Sequence, residues 1–216
     1  MSDDIRELLA TGAGELGVIL TDEQAGACMS YLAELKKWNR KINLTAIRDD
    51  REAVIKHFLD SFSFLKGFEV RPGLALVDMG SGAGFPALPI KIAAPAVTVT
   101  MVESVKKKAS FLRHIVRMLG LQGVEVVDRR TEELPENMLG RFDAATARAF
   151  ADMEKAVQEG ARLLAPGGVL VLSRGPEEQL EPEKIERTGM LLLDRMRLGL
   201  PFSRDPRVIW VFRKKG

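Results

Sequence analysis

Three glycines at alternate positions, Gly80, Gly82 and Gly84, stand just behind an apolar run that closes on an acid, Asp78. Such a run ending in clustered glycines marks a buried strand turning tightly into a helix. Glycine permits left-handed backbone and lets a ligand lie against the main chain. In an open α/β sheet that turn lies at the carboxyl edge of the strand, where ligands bind. The spacing G-x-G-x-G differs from the dinucleotide pattern G-x-G-x-x-G. A carboxylate beside the loop repels a pyrophosphate but helps to hold an ammonium group. The loop therefore fits S-adenosylmethionine, a nucleoside bearing an amino acid, better than NAD; the bland alternative is a tight turn with no ligand.

A second acid strengthens the first reading. Val97–Val102 reads VTVTMV and ends in Glu103, about twenty residues beyond the glycines, the place from which a ribose hydroxyl pair is read in a doubly wound fold. Arg148, expected at the end of a later strand, could face the cofactor carboxylate or a substrate phosphate or base. Thr131 and Glu132, after another strand, could flank an adenine or simply open a helix. His57, Asp60 and Ser61 share one helical face, which either ties helices to the sheet or looks onto the cofactor mouth.

Other chemistries are missing. No His/Cys cluster has metal-ligand spacing, and no G-x-S-x-G elbow offers a hydrolase serine. Cys28, the single cysteine, falls at a core position of an N-terminal helix, which counts against methylation of cytosine C5 through a thiolate. Thr146-Ala147-Arg148-Ala149-Phe150 lacks the Asn/Asp-Pro-Pro-aromatic sequence of exocyclic-amine methylation. A guanine N7 carries a lone pair and no proton and faces the major groove. Its methylation asks for positioning and little acid–base help, which suits a site without an evident general base.

The elements that must position these residues follow from periodicity. Residues 1–70 read as helices: Thr21 with Gln24 forms a capping box opening a helix to about Trp38, and Asp50 opens another through His57, Phe58, Phe62 and Leu65. Pro72-Gly73 breaks the chain. Strands are expected near 74–78, 97–102, 123–128, 142–146 and 168–173, with helices near 86–93, 105–119, 152–164 and 176–186. The alternation predicts an α/β fold with a parallel sheet covered on both faces. Two last strands, about 189–197 and 207–213, have no helix between them and read as an antiparallel hairpin closing the sheet. The division expected is a helical extension, 1–70, packed on a Rossmann-like domain, 71–216.

Composition sets bounds. The 216 residues, 46% hydrophobic and 29% charged, suffice for one α/β domain with a sizeable core. No apolar stretch approaches the roughly 20 residues of a membrane span, and MSDDIRELLA is acidic and amphipathic rather than a signal peptide. One cysteine excludes an internal disulfide and points to a reducing compartment. The net charge of +2 decides nothing by itself, but the basic residues cluster. Lys106, Lys107, Lys108, Arg113, Arg117, Arg129 and Arg130 crowd one segment, with Arg40 and Lys41 after Trp38-Asn39 and Arg213-Lys214-Lys215 at the end. Such a surface suits a phosphate backbone, though a charge run is as often a solvated helix face. Trp38 could stack on a base or close a helix end against the core.

These segments together resemble the bacterial small-subunit ribosomal RNA guanine-N7 methyltransferases, the glucose-inhibited division protein B family. The resemblance is carried over nearly the whole chain by Trp38-Asn39 with Ile42-Asn43-Leu44-Thr45-Ala46-Ile47, by His57-Phe58-Leu59-Asp60-Ser61, and by Asp78 through Pro86. Glu103-Ser104, Phe111-Leu112-Arg113, Arg130-Thr131-Glu132-Glu133 and Thr146-Ala147-Arg148-Ala149 complete it. The resemblance implies a class I methyltransferase with a seven-stranded, mostly parallel sheet. It implies S-adenosylmethionine as cofactor and N7 of one guanine in 16S rRNA as acceptor, presented by a small ribosomal subunit or its precursor, in the cytoplasm. It places Gly80 and Phe85 beside the cofactor, Thr131 and Glu132 at the adenine, and Arg148 at methyl transfer. Asp78, Gly82, Gly84 and Glu103 complete the expected cofactor set. Arg40, Lys41, Lys106, Lys107 and Arg113 are expected on RNA, and no metal is expected. Nothing demands a dimer, so a monomer is the expectation. The chain departs from the family pattern at Ala87, Thr131 and Arg174, and the last exchanges a lysine's point charge for a planar fork.

Three rivals remain distinguishable. A methyltransferase of proteins or small molecules would bind its acceptor without regard to salt. A non-catalytic RNA-binding assembly factor would bind particles with or without cofactor. A nicotinamide oxidoreductase is disfavoured by the glycine spacing.

Overall fold

In the computed structural model, which describes residues 3–148, 152–175, 181–203 and 205–216, seven strands form one sheet. They are β1 (Ala75–Met79), β2 (Thr98–Val102), β3 (Val124–Val127), β4 (Phe142–Arg148), β5 (Leu164–Arg174), β6 (Met190–Gly199) and β7 (Pro206–Lys214). Their order is β3-β2-β1-β4-β5-β7-β6. The first five pair in parallel; β7 runs antiparallel to both β5 and β6, so the expected closing hairpin lies between β5 and the sheet edge. The order reverses between β1 and β4, which opens a crevice at their carboxyl ends.

The inner strands β2, β1, β4, β5 and β7 are buried on both faces, and successive residues go to opposite cores, whereas most of the edge strand β6 is exposed. Leu76, Val99, Met101, Val171, Ile209 and Val211 join one core with the N-terminal helices, whereas Val77, Val102, Leu170, Leu172, Val208 and Trp210 join the other. The first core is covered by α1 (Asp3–Glu15), α2 (Asp22–Asn39), α5 (Ala87–Ala93) and α6 (Lys106–Met118), and the second by α7 (Met153–Leu163) and α8 (Pro182–Glu186). Residues 176–180 of the helix expected over 176–186, and Ala149 and Phe150, lie outside the described residues.

The capping box at Thr21 forms as expected: Gln24 N–H donates to the Thr21 hydroxyl, and Thr21 N–H donates to the Gln24 side chain. The next helix begins at Asp50 as expected but departs from the expectation in its course. Its cap is Asp49, whose carboxylate accepts from Glu52 N–H at 2.8 Å. It is not uniform: α3 (Asp50–Ala53) passes into a π-helical stretch (Val54–Leu59), then α4 (Asp60–Ser63), then a 3-10 turn (Phe64–Gly67). π stretches inside helices recur at functional sites, and this one carries Lys56, His57 and the approach to Asp60.

Candidate active site

The turn after β1 is built as the glycine spacing requires. Gly80, Gly82 and Gly84 all have left-handed backbone, with φ of 69, 57 and 96°. Their environments differ. A Cβ on Gly80 would meet nothing within 4 Å, whereas one on Gly84 would meet Leu88 Cδ1 at 2.5 Å and the Tyr31 hydroxyl at 2.7 Å. Gly80 is thus an open cradle, and Gly84 is a packing position beneath α2. Phe85, also placed beside the cofactor by the sequence, is buried in an aromatic stack: its ring lies 5.1 Å from Tyr31 and 4.6 Å from His57, both near parallel.

The two acids separate in role. Glu103 tethers the loop: Oε2 accepts from Gly82 N–H and Oε1 from Val105 N–H, each at 2.8 Å. Asp78 is almost wholly buried; Oδ1 accepts from the Thr146 hydroxyl at 2.8 Å, and Oδ2 has no hydrogen-bond partner. Burial pushes its carboxyl up to about 6, opposed by the nearby Ser81 hydroxyl and by the bond from Thr146.

A cleft of about 310 Å³ lies over the carboxyl edges of β1 and β2, and it brings together Gly80, Glu103, Thr131, Glu132 and Arg148. Its wall also holds Arg129, Arg130 and Lys155. The sequence pattern puts the two arginines in a general basic patch and gives no sign of Lys155. Lys155 Nζ lies 2.9 Å from Glu132 Oε1 and holds that carboxyl below its usual range. The residues fit an amino-acid-bearing nucleoside: an open glycine wall at Gly80 and, in Glu103 and Glu132, carboxylates able to accept from hydroxyl and amine donors. Asp78, Gly82, Gly84 and Phe85, expected at the cofactor, do not line this cleft.

Arg148 ends β4 and also lines a second cleft, of about 420 Å³, with Ile47, Lys56, His57, Asp60, Ser173, Arg174, Gly175 and Arg207. Its guanidinium is held on several sides. Nη1 donates to the Lys56 carbonyl at 2.9 Å and approaches Asp60 Oδ2 at 3.3 Å, and the cation lies 5.2 Å from the Phe85 ring centre. Asp60 also accepts from Arg207 Nε at 3.2 Å. Burial pushes the Asp60 carboxyl up, and the two guanidinium groups oppose that rise. His57, left open between packing and function, contacts Arg148 directly, with Nδ1 3.3 Å from Nη2.

The expected RNA residues Arg40, Lys41, Lys106, Lys107 and Arg113 are all exposed. Trp38 packs 5.5 Å from Phe111 and 5.1 Å from His114, as a helix-end residue against the core. The C-terminal bases lie elsewhere: Arg213 lines a cavity of about 650 Å³ with Lys66, Arg71 and Asp143 at the amino edge of the sheet, and Lys214 Nζ donates to the Leu164 carbonyl. Cys28 is fully buried, and burial pushes its thiol up to about 12. Among the described residues no group of His, Cys, Asp and Glu could hold a metal, and no helix is long and apolar enough to cross a membrane.

Comparison with known proteins bears on this geometry. A family model described as rRNA small subunit methyltransferase G (GidB) matches residues 24–198. The chain is 41% identical over 219 residues to ribosomal RNA small subunit methyltransferase G of Geobacter metallireducens, spanning 100% of this chain and 99% of that protein. The protein of the same name in Geotalea uraniireducens is 39% identical over 218 residues, with 99% of each chain covered. Among solved structures, the [4+2]-cyclase SpnF matches with a TM-score of 0.62 at 17% identity, over 91% of this chain and 97% of that one. TYW2 of M. jannaschii, solved in complex with AdoMet, matches with a TM-score of 0.55 at 14% identity, over 71% and 73%. At such identities these structures speak for the fold alone.

Proposed function

The chain belongs to the rRNA small subunit methyltransferase G (GidB) family, and we propose that it transfers the methyl group of S-adenosylmethionine to N7 of a guanine in 16S rRNA. The observation that carries this reading is the placement of Arg148 between two clefts, one suited to a nucleoside and one walled by Lys56, Arg174 and Arg207. The first would hold the cofactor. The second, on the other side of Arg148, would receive the acceptor guanine and its flanking phosphates.

When bound, the cofactor supplies an electrophilic methyl group on a sulfonium. The chain's own residues supply position and field. Gly80 lets the main chain approach the ligand, and Glu103 fixes the loop through Gly82. Glu132, oriented by Lys155, stands at the nucleoside end. Arg148 presents its remaining guanidinium edge where the clefts meet. The titratable groups around Arg148 are not poised as proton acceptors for the reaction. His57 Nδ1 already accepts from Arg148, Asp60 is engaged by two arginines, and Asp78 lines neither cleft. An acceptor without a proton, such as guanine N7, needs no such base.

The exposed bases of α6 and of the turn after α2 would meet RNA phosphates, with a small ribosomal subunit or its precursor presenting the nucleotide. The test is transfer of labelled methyl groups to small subunits from a strain lacking the gene, to naked 16S rRNA and to a protein extract. Label in 7-methylguanosine from the particle is the expected result. Label only in protein or in small molecules would overturn the acceptor assignment.

A further inference from the structure

We propose that His57 is a positioning residue for methyl transfer: it sets the guanidinium of Arg148, and Thr45, in the loop closed by Asn39, sets His57. The inference rests on the reading of Arg148 at the junction of the two clefts, and no role for this chain of residues follows from that reading alone.

The hydrogen bonds fix its direction. An arginine has donors and no acceptor. His57 Nδ1, 3.3 Å from Arg148 Nη2, must therefore be the unprotonated nitrogen. Nε2 then carries the proton and donates to Thr45 Oγ1 at 2.8 Å. The same oxygen accepts from Ile47 N–H at 3.1 Å, so both of its lone pairs are engaged. Thr45 is held in turn by Asn39, whose Oδ1 accepts from Leu44 and Thr45 N–H at 2.8 and 3.0 Å and whose Nδ2 donates to the Thr45 carbonyl at 2.8 Å. The segment from Asn39 through Asn43-Leu44-Thr45 thus closes a loop that delivers one hydroxyl to one imidazole.

An imidazole suits this position better than an amide. Its two nitrogens accept and donate in divergent directions across a rigid ring, and the ring face is clamped on Phe85 at 4.6 Å and 18°. A guanidinium at the junction of two ligand clefts is useful only in one place, since supporting groups must hold a reacting constellation to within about 0.5 Å. Lys56, in the π-helical stretch, supplies a carbonyl to Nη1, and His57, one residue later, supplies an acceptor to Nη2. Burial and the Arg148 charge push the imidazole down to about 3, so it stays the neutral acceptor that this bond needs. The outer residues of the loop, Arg40, Lys41 and Asn43, are exposed, so the surface facing RNA connects to Arg148 through two side chains.

The test compares Thr45→Val, Thr45→Ser and His57→Phe. Single-turnover transfer is measured at saturating cofactor and particle, beside cofactor affinity by calorimetry and the thermal midpoint. Thr45→Val and His57→Phe should slow transfer by about 10-fold or more, as misplacement of a reacting constellation does, while cofactor affinity stays within about 2-fold. Thr45→Ser should recover the wild-type rate. A wild-type rate in Thr45→Val, an equal loss in Thr45→Ser, or a loss that only follows the thermal midpoint would overturn the proposal. A second readout needs no turnover. Long-range nitrogen-15 spectra should show His57 as the neutral Nε2–H tautomer near neutral pH, with the Arg148 Nε–H exchanging faster in Thr45→Val. An Nδ1–H tautomer or an unchanged arginine signal would overturn it too. Wild-type protein that methylates no particle while passing the spectroscopic test would sink the function and leave the relay standing.

Discussion

Arg148 and His57, ninety-one residues apart, share a hydrogen bond of 3.3 Å in which the imidazole can only accept. A consequence for stability follows from its being neutral. Burial, then the Arg148 charge, lowers the folded His57 to about 3, against an ordinary 6.5. Between those values the unfolded chain binds a proton that the folded chain refuses, so stability falls as pH falls through that window. The slope contributed is at most about 1.4 kcal/mol per pH unit. Asp78, raised from 3.8 to about 6, acts in the opposite sense, because the folded form binds its proton first. The clean measurement is therefore the difference between wild type and His57→Gln in denaturant unfolding near pH 7 and near pH 5. Wild type should lose stability relative to the variant on acidification. A constant difference would show that His57 is not held neutral.

The alternate glycines should separate two properties. Gly84→Ala places a methyl group against Leu88, Leu112 and the Tyr31 hydroxyl, at a φ of 96°. Overpacking and left-handed strain together should cost about 2–4 kcal/mol. Gly80→Ala meets no neighbour and should cost about 1 kcal/mol of stability through strain. It puts its methyl group against the cleft proposed for the cofactor and should weaken cofactor binding far more than folding. Thermal melts and calorimetry on both variants check this; equal stability losses would refute the division.

Much of the fold is legible in the sequence because it depends on local pattern. Apolar runs mark five parallel strands within a few residues of their ends, and the glycines after Asp78 mark the turn at the carboxyl end of β1. The rest depends on contacts between distant segments. Nothing near Thr45 announces that its hydroxyl will meet His57 twelve residues on, because the intervening turn has no repeating period. The π stretch at Val54–Leu59 keeps an ordinary helical composition. Asp78 and Glu103 both end strands before polar loops, and only the folded register shows that one is buried on Thr146 while the other binds loop N–H groups. Arg213 looks like part of a basic tail, but β7 runs antiparallel to β5 and carries it to the opposite edge.

Arg148 should behave as a turnover residue. It lines both clefts, but its charge is engaged by Asp60 and its edges by Lys56 and His57. Arg148→Ala should lower single-turnover transfer by about 100-fold, the scale at which removing one electrostatic group acts, with a smaller loss of cofactor affinity. Arg148→Lys keeps the charge but cannot reproduce the fork, and should recover only a small part of the rate. Equal losses in rate and affinity would make the residue a holder of cofactor alone.

Glu103 should act through the loop. Both of its carboxylate oxygens accept from backbone N–H groups, Gly82 and Val105, and the side chain is buried. Glu103→Gln turns one acceptor into a donor facing an N–H. The unsatisfied pair should cost about 1–3 kcal/mol, felt in the loop that borders the cleft proposed for the cofactor. Cofactor affinity should fall by about 10-fold or more, with particle binding in the absence of cofactor unchanged. Unaltered affinity would remove Glu103 from the cofactor site.

The charged surface should read out as salt dependence, and two edges of the sheet provide an internal control. Lys106 and Arg113 lie exposed on α6, which begins just after Glu103 and Ser104 of the proposed site. Lys66 and Arg213 line the cavity of about 650 Å³ at the amino edge, with an opposing carboxylate, Asp143. Every phosphate that is no longer neutralised should reduce the slope of log affinity against log salt by about 0.7–0.9. Lys106→Ala with Arg113→Ala should therefore flatten the slope for small-subunit binding by about 1.5 and leave cofactor affinity alone. Lys66→Ala with Arg213→Ala, an equal reduction of charge, should leave the slope unchanged, because net charge alone steers weakly and pairing with phosphate is local. If the two pairs flatten the slope equally, RNA does not approach across the carboxyl edge in a defined orientation, and the assignment of α6 to the RNA-facing surface fails.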